Sequence, residues 1–314
     1  MSLSCSICNQ KCSSKKIIVR SGKEMDLYRC ENCDFNFFNL DPSVSLSKNK
    51  LDESRLKSVG LNIPSVNKDF ENGTKQSKPY LNEFIDTNDK GTNILEIGCS
   101  VGYFLNLLKK KDINPFGVEL NKIRANYIRK HLEIPCFDTL EKCEETGIKF
   151  KKIFLFYVLE YISNPIKYFE RLIKMLEPGG SIILITPNLN DALKDLWKNE
   201  GFNRFFYDEF AINYFSVKAA ENFTKCLPIS KYNIYTKQGY SFLNHSSWHF
   251  TDKPRTTGIV GGDLFVKDLT NSFNNSRIIF NKEIINLFND FDIKYKEILE
   301  NNDFGNQIVM ILDK

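Results

Sequence analysis

Between residues 79 and 190 short apolar runs alternate with helical stretches. The runs 93–97, 115–119, 134–137, 152–156 and 181–186 are rich in Ile, Leu, Val and Phe and too short for helices. The stretches 79–86, 103–111, 122–131 and 166–176 repeat their apolar residues at helical spacing. Strands separated by helices of this length predict right-handed crossovers and a parallel sheet, so the pattern implies a doubly wound, mostly parallel α/β fold. Pro178-Gly179-Gly180 marks the break before the last of these strands. Beyond residue 188 the rhythm loosens into an aromatic stretch 202–215, a helix from Ser216, a strand 232–235, an irregular segment 238–275, a helix 281–299 and a strand 307–312. A long irregular segment between regular ones reads as a cover over a site rather than a plain connection.

The first forty residues have no apolar period able to build a core, yet they hold Cys5-x2-Cys8 and Cys30-x2-Cys33. Four thiolates in two knuckles can close a tetrahedral site, and so small a segment needs such a staple. The spacing therefore predicts a zinc-ribbon-like module at 1–41 with Cys5, Cys8, Cys30 and Cys33 as Zn2+ ligands. A Ser-, Asn- and Lys-rich stretch 42–78, with one short helix near 52–59, reads as a linker, and 79–314 as the α/β domain. Cys12 is a fifth candidate in the same segment, and the remaining Cys99, Cys136, Cys143 and Cys226 fall in or beside regular elements and read as small hydrophobes.

Composition narrows the picture only at its edges. Lys plus Arg at 43 against Asp plus Glu at 39 leaves the 314-residue chain at +4. With no block of like charges, nucleic acid is not indicated as a partner. No apolar run approaches the ~20 residues of a spanning helix. The N-terminus lacks an export-type apolar region, which predicts a cytoplasmic protein without a membrane span.

In open α/β sheets ligands bind beyond the carboxyl ends of the strands, which points to the turn after strand 93–97. It reads Glu96-Ile97-Gly98-Cys99-Ser100-Val101-Gly102, and the next strand ends at Glu119, an acid placed to accept hydrogen bonds from two ribose hydroxyls. A dinucleotide site wants Gly or Ala where Tyr103 stands. The turn also matches the G-x-S-x-G elbow of α/β-hydrolases with Ser100 as nucleophile and His245 or His249 as partner, but no oxyanion segment precedes it and that reading leaves Glu96 and Glu119 idle.

The third reading is S-adenosylmethionine. The runs LEIGCSVGYF, GVEL, FYVLEYISNP and LEPGG with its following ILITPN together resemble class I methyltransferases, whose fold is Rossmann-like, over about 79–190. The resemblance implies that Glu96 lies beneath the methionine end and that Gly98, Cys99, Ser100 and Gly102 wrap the cofactor. It also implies that Glu119 holds the ribose, that Leu120 and Thr139-Leu140 flank the adenine, and that Phe156 belongs to the same site. Ser100 stands where that family usually has Gly, and Tyr157 and Tyr161 replace two common histidines.

With its cysteine module the chain further resembles sugar C-methyltransferases acting on nucleotide-linked sugars, through the segment YDEFAINYFS at 207–216. Phe210 replaces the histidine that is the candidate base in that family. The expected catalytic groups are then Tyr207 with Glu209, or His245 brought over the pocket, in an acceptor region at about 188–280. The implied acceptor is a small molecule, a nucleotide-activated sugar or glycan precursor. An RNA methyltransferase with a zinc knuckle and a noncatalytic binding module are the rival readings.

Overall fold

The alternation along the chain closes into a seven-stranded sheet in the order β10-β11-β8-β7-β4-β5-β6. The computed structural model describes residues 3–41, 66–253 and 282–314. The chain begins with β1 (Ser13–Ile18), β2 (Glu24–Arg29) and β3 (Asn36–Phe38), followed by α1 (Val66–Phe84). Then come β4 (Asn93–Ile97), α2 (Tyr103–Lys109), β5 (Asn114–Val118), α3 (Lys122–Tyr127), β6 (Cys136–Phe137), α4 (Leu140–Glu144), β7 (Phe150–Phe156), α5 (Pro165–Met175) and β8 (Leu176–Pro187). The last part holds α6 (Ala192–Asp195), α7 (Glu200–Phe206), β9 (Asn213–Tyr214), α8 (Val217–Lys225), β10 (Lys231–Lys237), α9 (Phe242–Thr251), α10 (Lys282–Asn301) and β11 (Gln307–Asp313).

Strands β6, β5, β4, β7 and β8 run parallel, and β11 pairs antiparallel with both β8 and β10. This is the doubly wound α/β class expected. Both faces of the central strands are buried, so they read as continuous apolar runs rather than alternating ones: Ile94, Leu95, Ile153, Phe154, Leu155, Leu184 and Ile185 are all fully buried. One face packs with Phe169, Phe215 and Phe223 and the other with Phe104, Leu105 and Leu108. No helix among the described residues is long and apolar enough to cross a membrane.

Three expectations shift. Pro178-Gly179-Gly180 does not end a helix before a separate strand; it lies inside β8 as an irregularity, where the partner of β7 jumps from Leu176 to Ser181 and Gly179 takes φ +68. The helix expected at 79–86 starts at Val66, inside the stretch taken for linker, and Gly73 lies so close to the Tyr103 ring of α2 that a Cβ there would be 2.2 Å from it. The helix expected near 52–59 lies outside the described residues. The segment 238–275 holds α9, with 254–275 outside the described residues.

The first forty residues are not set apart from the rest. β3 pairs with β9, completing a four-stranded sheet β1-β2-β3-β9 across the boundary placed at residue 41. Phe35 packs on Phe215 at 4.9 Å, Arg20 N donates to Tyr207 O at 2.8 Å, and Phe38 N donates to Ile212 O at 2.9 Å. The buried cysteines share one apolar cluster with the underside of the large sheet. A three-residue edge strand has too little apolar surface to stand alone, and β9 supplies the missing neighbour.

Candidate functional site

The turn after β4 is built from left-handed residues. Gly98 has φ +71, Ser100 +51 and Gly102 +80. A Cβ on Gly98 would lie 2.6 Å from Val158 Cγ2, and one on Gly102 would lie 2.9 Å from both Ile128 and Leu132. Glycine is therefore required there twice over, by conformation and by space. Gly98 N and Cys99 N both donate to Val118 O, at 2.8 and 3.3 Å, which ties the turn to the end of β5.

Glu119 completes that tie from the other side. Its carboxylate accepts from Ser100 N at 2.9 Å and from Asn121 N at 2.8 Å, and Asn121 in turn caps α3 through Ile123 N and Arg124 N. One carboxylate thus fixes both loops that flank the carboxyl ends of β4 and β5. Each of its oxygens still has a second lone pair for a ligand hydroxyl.

Glu96 is buried, and its Oε2 has no hydrogen-bond partner in the protein. Burial, reinforced by the nearby Glu119 charge, pushes its carboxyl up to about 8. An orphaned carboxylate oxygen in so dry a place fits a ligand that brings a cationic donor. Around this centre Leu120 is half-buried, Leu140 is buried, and Thr139 caps α4 by accepting from Lys142 N at 3.4 Å. Phe156 stacks on Tyr80 at 5.1 Å and meets Phe104 edge-on. Cys99 is fully buried, its Sγ 3.9 Å from that of Cys136. The hydrolase reading finds no support: no imidazole among the described residues hydrogen-bonds Ser100, whose backbone N–H is bound to Glu119.

The second half of the carboxyl edge is polar and was not foreseen. Gln238 Oε1 accepts from Asn306 N at 2.9 Å, and its Nε2 donates to Tyr240 O at 2.9 Å. Those two bonds fix the amide, so Nε2 is also the donor to His245 Nε2 at 3.1 Å. The imidazole proton therefore sits on Nδ1 and is given to the Tyr295 hydroxyl at 2.6 Å, which also accepts from Trp197 Nε1 at 2.9 Å. Burial holds His245 down at about 4, so it is neutral with both nitrogens engaged. It braces α9 against α10.

The three residues proposed for proton transfer lie in different places. Tyr207 is buried among Phe38, Phe206 and Tyr214 on the small sheet. Burial raises its hydroxyl well beyond the ordinary range. Glu209 is at the surface, accepting from Ser21 Oγ at 2.7 Å. His245 belongs to the brace just described. The 207–216 segment joins the module with Tyr207 and Tyr214 against Phe38, and a sequence motif cannot show which neighbour they find.

By contrast Tyr157 sits at the carboxyl end of β7, beside Gly98 through Val158, with φ +57 and its N–H donating to Ile185 O at 2.8 Å. A left-handed non-glycine residue costs about 1–2 kcal/mol. The two hints in the sequence were the tyrosine in a histidine's place and Gln307 just ahead of the apolar run 308–312.

The metal-type cluster is geometrically regular. The ligand atoms of Cys5, Cys8, Cys30 and Cys33 lie within 4.8 Å of one another, with Cys5–Cys33 at 3.5 Å and Cys8–Cys30 at 3.3 Å. A tetrahedron with Zn–S of about 2.3 Å has edges of about 3.8 Å. Both knuckles close alike: Cys5 N donates to Gln10 O and Asn9 N to Cys5 O, while Cys30 N donates to Phe35 O and Asp34 N to Cys30 O. Asn9 and Asp34 end the two turns at φ +59 and +61, the conformation that short polar side chains tolerate best. Cys12 stays outside the set, and burial pushes its thiol up to about 12.

Comparison with known proteins agrees with the turn's chemistry. Residues 71–225 match a family model described as a methyltransferase domain. The chain is 23% identical over 107 residues to the Coxiella burnetii ubiquinone biosynthesis O-methyltransferase, a match covering 32% of this chain and 46% of that relative, so the chain spans about half of the curated relatives it matches. Among solved structures, an Archaeoglobus fulgidus SAM-dependent methyltransferase aligns at 14% identity over 78% of this chain and 94% of its own, with a TM-score of 0.47. A Thermotoga maritima SAM-dependent methyltransferase aligns at 13% over 86% and 97%, with a TM-score of 0.46. Residues 71–225 are thus similar to a methyltransferase domain, on a Rossmann-like sheet preceded by a four-cysteine cluster.

Proposed function

We propose that the chain is an S-adenosylmethionine-dependent methyltransferase acting on a small molecule, with zinc held by Cys5, Cys8, Cys30 and Cys33 in a structural role. One observation carries the cofactor reading: Glu119 grips both flanking loops while Glu96, buried beside it, keeps an oxygen without a partner. The cofactor, when bound, supplies an activated methyl group on a sulfonium. Glu119 accepts from the ribose hydroxyls, the 98–102 backbone encloses the methionine side, and Leu120 with Leu140 packs the adenine. The protein's main contribution is orientation, since fixing two reactants in line can remove several kcal/mol of barrier.

The acceptor is assigned only as a small molecule. The nucleotide-activated sugar or glycan precursor read from 207–216 loses its main support, because that segment is packed into the cysteine module's sheet. The name of the curated relative suits an acceptor of another kind. Methyl transfer from labelled cofactor into nucleotide sugars, phenols, amines, thiols and bulk RNA is the test. Labelling of a small molecule is the expected result, and labelling of RNA alone would contradict it.

A further inference from the structure

We propose that Tyr157 is the residue that meets the methyl acceptor, orienting but not deprotonating a nucleophile that is an amine nitrogen bearing its own hydrogen. The inference rests on the methyltransferase reading above. Tyr157 lies one residue from Val158, which touches the cofactor turn at Gly98. It is 37% exposed while Leu155 and Leu159 on either side are 0%, and it is ringed by Tyr80, Tyr240 and Glu160. Its left-handed backbone leaves the extended path of β7, and a non-glycine residue persists in that conformation only where the surrounding structure holds it.

The hydroxyls fix the direction of donation. The Tyr157 hydroxyl is bonded to that of Tyr80, which donates onward to Gln307 Oε1 at 3.3 Å. Tyr80 thus spends its own proton on the amide and accepts from Tyr157, leaving the Tyr157 oxygen lone pairs free to accept. The relay ends on an amide oxygen, which takes up no proton at neutral pH, so it cannot drain a proton from the acceptor. Of the titratable groups facing Tyr157, Tyr80 and Tyr240 are phenols, and Glu160 accepts from Thr186 Oγ1 at 3.4 Å. A phenol keeps its proton at neutral pH. An alcohol needs a base as it attacks. A neutral amine needs only its lone pair aimed at the methyl carbon, forming the new N–C bond as the sulfonium C–S bond breaks, and it sheds its proton to water afterwards; a thiol, like an alcohol, must first lose its proton.

The test uses the full chain with S-adenosylmethionine and two probes, benzylamine and glycerol. Transfer to benzylamine and not to glycerol is expected, with kcat/KM rising as the free amine forms. Tyr157→Phe keeps the ring and should raise the probe's KM at least tenfold, with cofactor affinity unchanged within twofold. Tyr80→Phe should act the same way more weakly. Transfer to glycerol, an unchanged KM in Tyr157→Phe, a pH profile set by an enzyme group that shifts in Glu160→Gln, or no transfer to any probe by protein that binds the cofactor would each overturn the proposal. Failure to bind the cofactor at all would instead overturn the function it rests on.

Discussion

The two halves of the sheet's carboxyl edge are made in different ways. Over β4 and β5 the site is contiguous: Glu96, Gly98, Ser100 and Gly102 come from one turn, and Glu119 from the end of the next strand. Over β7, β8, β10 and β11 it is assembled from distant pieces: Tyr80 from α1, Tyr157 after β7, Gln238 and His245 around β10, and Asn306 and Gln307 at the start of β11. In the first half the backbone conformation demands particular residues. In the second half only the fold brings the parts together.

Removing the metal should have the largest effect. Because β9 and Phe215 belong to the cysteine module's sheet and core, chelation or Cys30→Ser with Cys33→Ser should expose amides at 205–216 as well as at 3–41 in hydrogen exchange. Metal analysis should return one zinc per chain. Loss of protection confined to 3–41 would restore the module's independence and sharpen the contrast between local and assembled parts differently.

The brace comes next. His245→Ala removes the acceptor of the Gln238 amide and the donor to Tyr295 and should cost about 1–3 kcal/mol of stability. Its lowered value of about 4, against about 6.5 in the unfolded chain, means that the unfolded state binds the extra proton. That contribution is complete above about 6.5 and declines as pH falls toward 4. Urea midpoints from pH 7 to 4.5 should therefore converge for wild type and His245→Ala. Parallel curves would show that the imidazole is not the titrating brace.

Glu96 sets the opposite slope. Its carboxyl is raised to about 8 from an ordinary 4.5, so its contribution to stability is greatest below about 4.5 and is lost as pH rises through 8. A cationic ligand favours the ionised form, so cofactor binding should release protons near pH 7. Calorimetry in buffers of different ionisation enthalpy reads this directly, and no buffer dependence would separate Glu96 from the ligand.

The smallest effects belong to the segment that looked catalytic. Tyr207→Phe and Glu209→Gln should leave turnover within about threefold, because one ring is packed under Phe38 and one carboxylate faces Ser21 at the surface. A hundredfold loss in either would return 207–216 to the acceptor site.

These contrasts also explain what was legible in the sequence. The strands β4 to β8 and the cysteine knuckles follow from local pattern, since burial on both faces and left-handed turns select residue types position by position. The packing of Tyr207 and Tyr214 on Phe38, the pairing of β3 with β9, and the His245 tautomer depend on contacts far apart in the chain. The start of α1 at Val66 was hidden by a polar surface rich in Asn and Lys, which reads as linker until Gly73 is seen against Tyr103.

The central claim is that Glu119 and the 96–102 turn hold S-adenosylmethionine. Calorimetric titration of the full chain and of Glu119→Ala tests it most directly. Loss of an acceptor for two ribose hydroxyls, at about 1.5–3 kcal/mol for each bond to a charged group, predicts saturable binding by wild type and at least tenfold weaker binding by the variant. Equal affinity in the two proteins, or no binding by wild type, would contradict it.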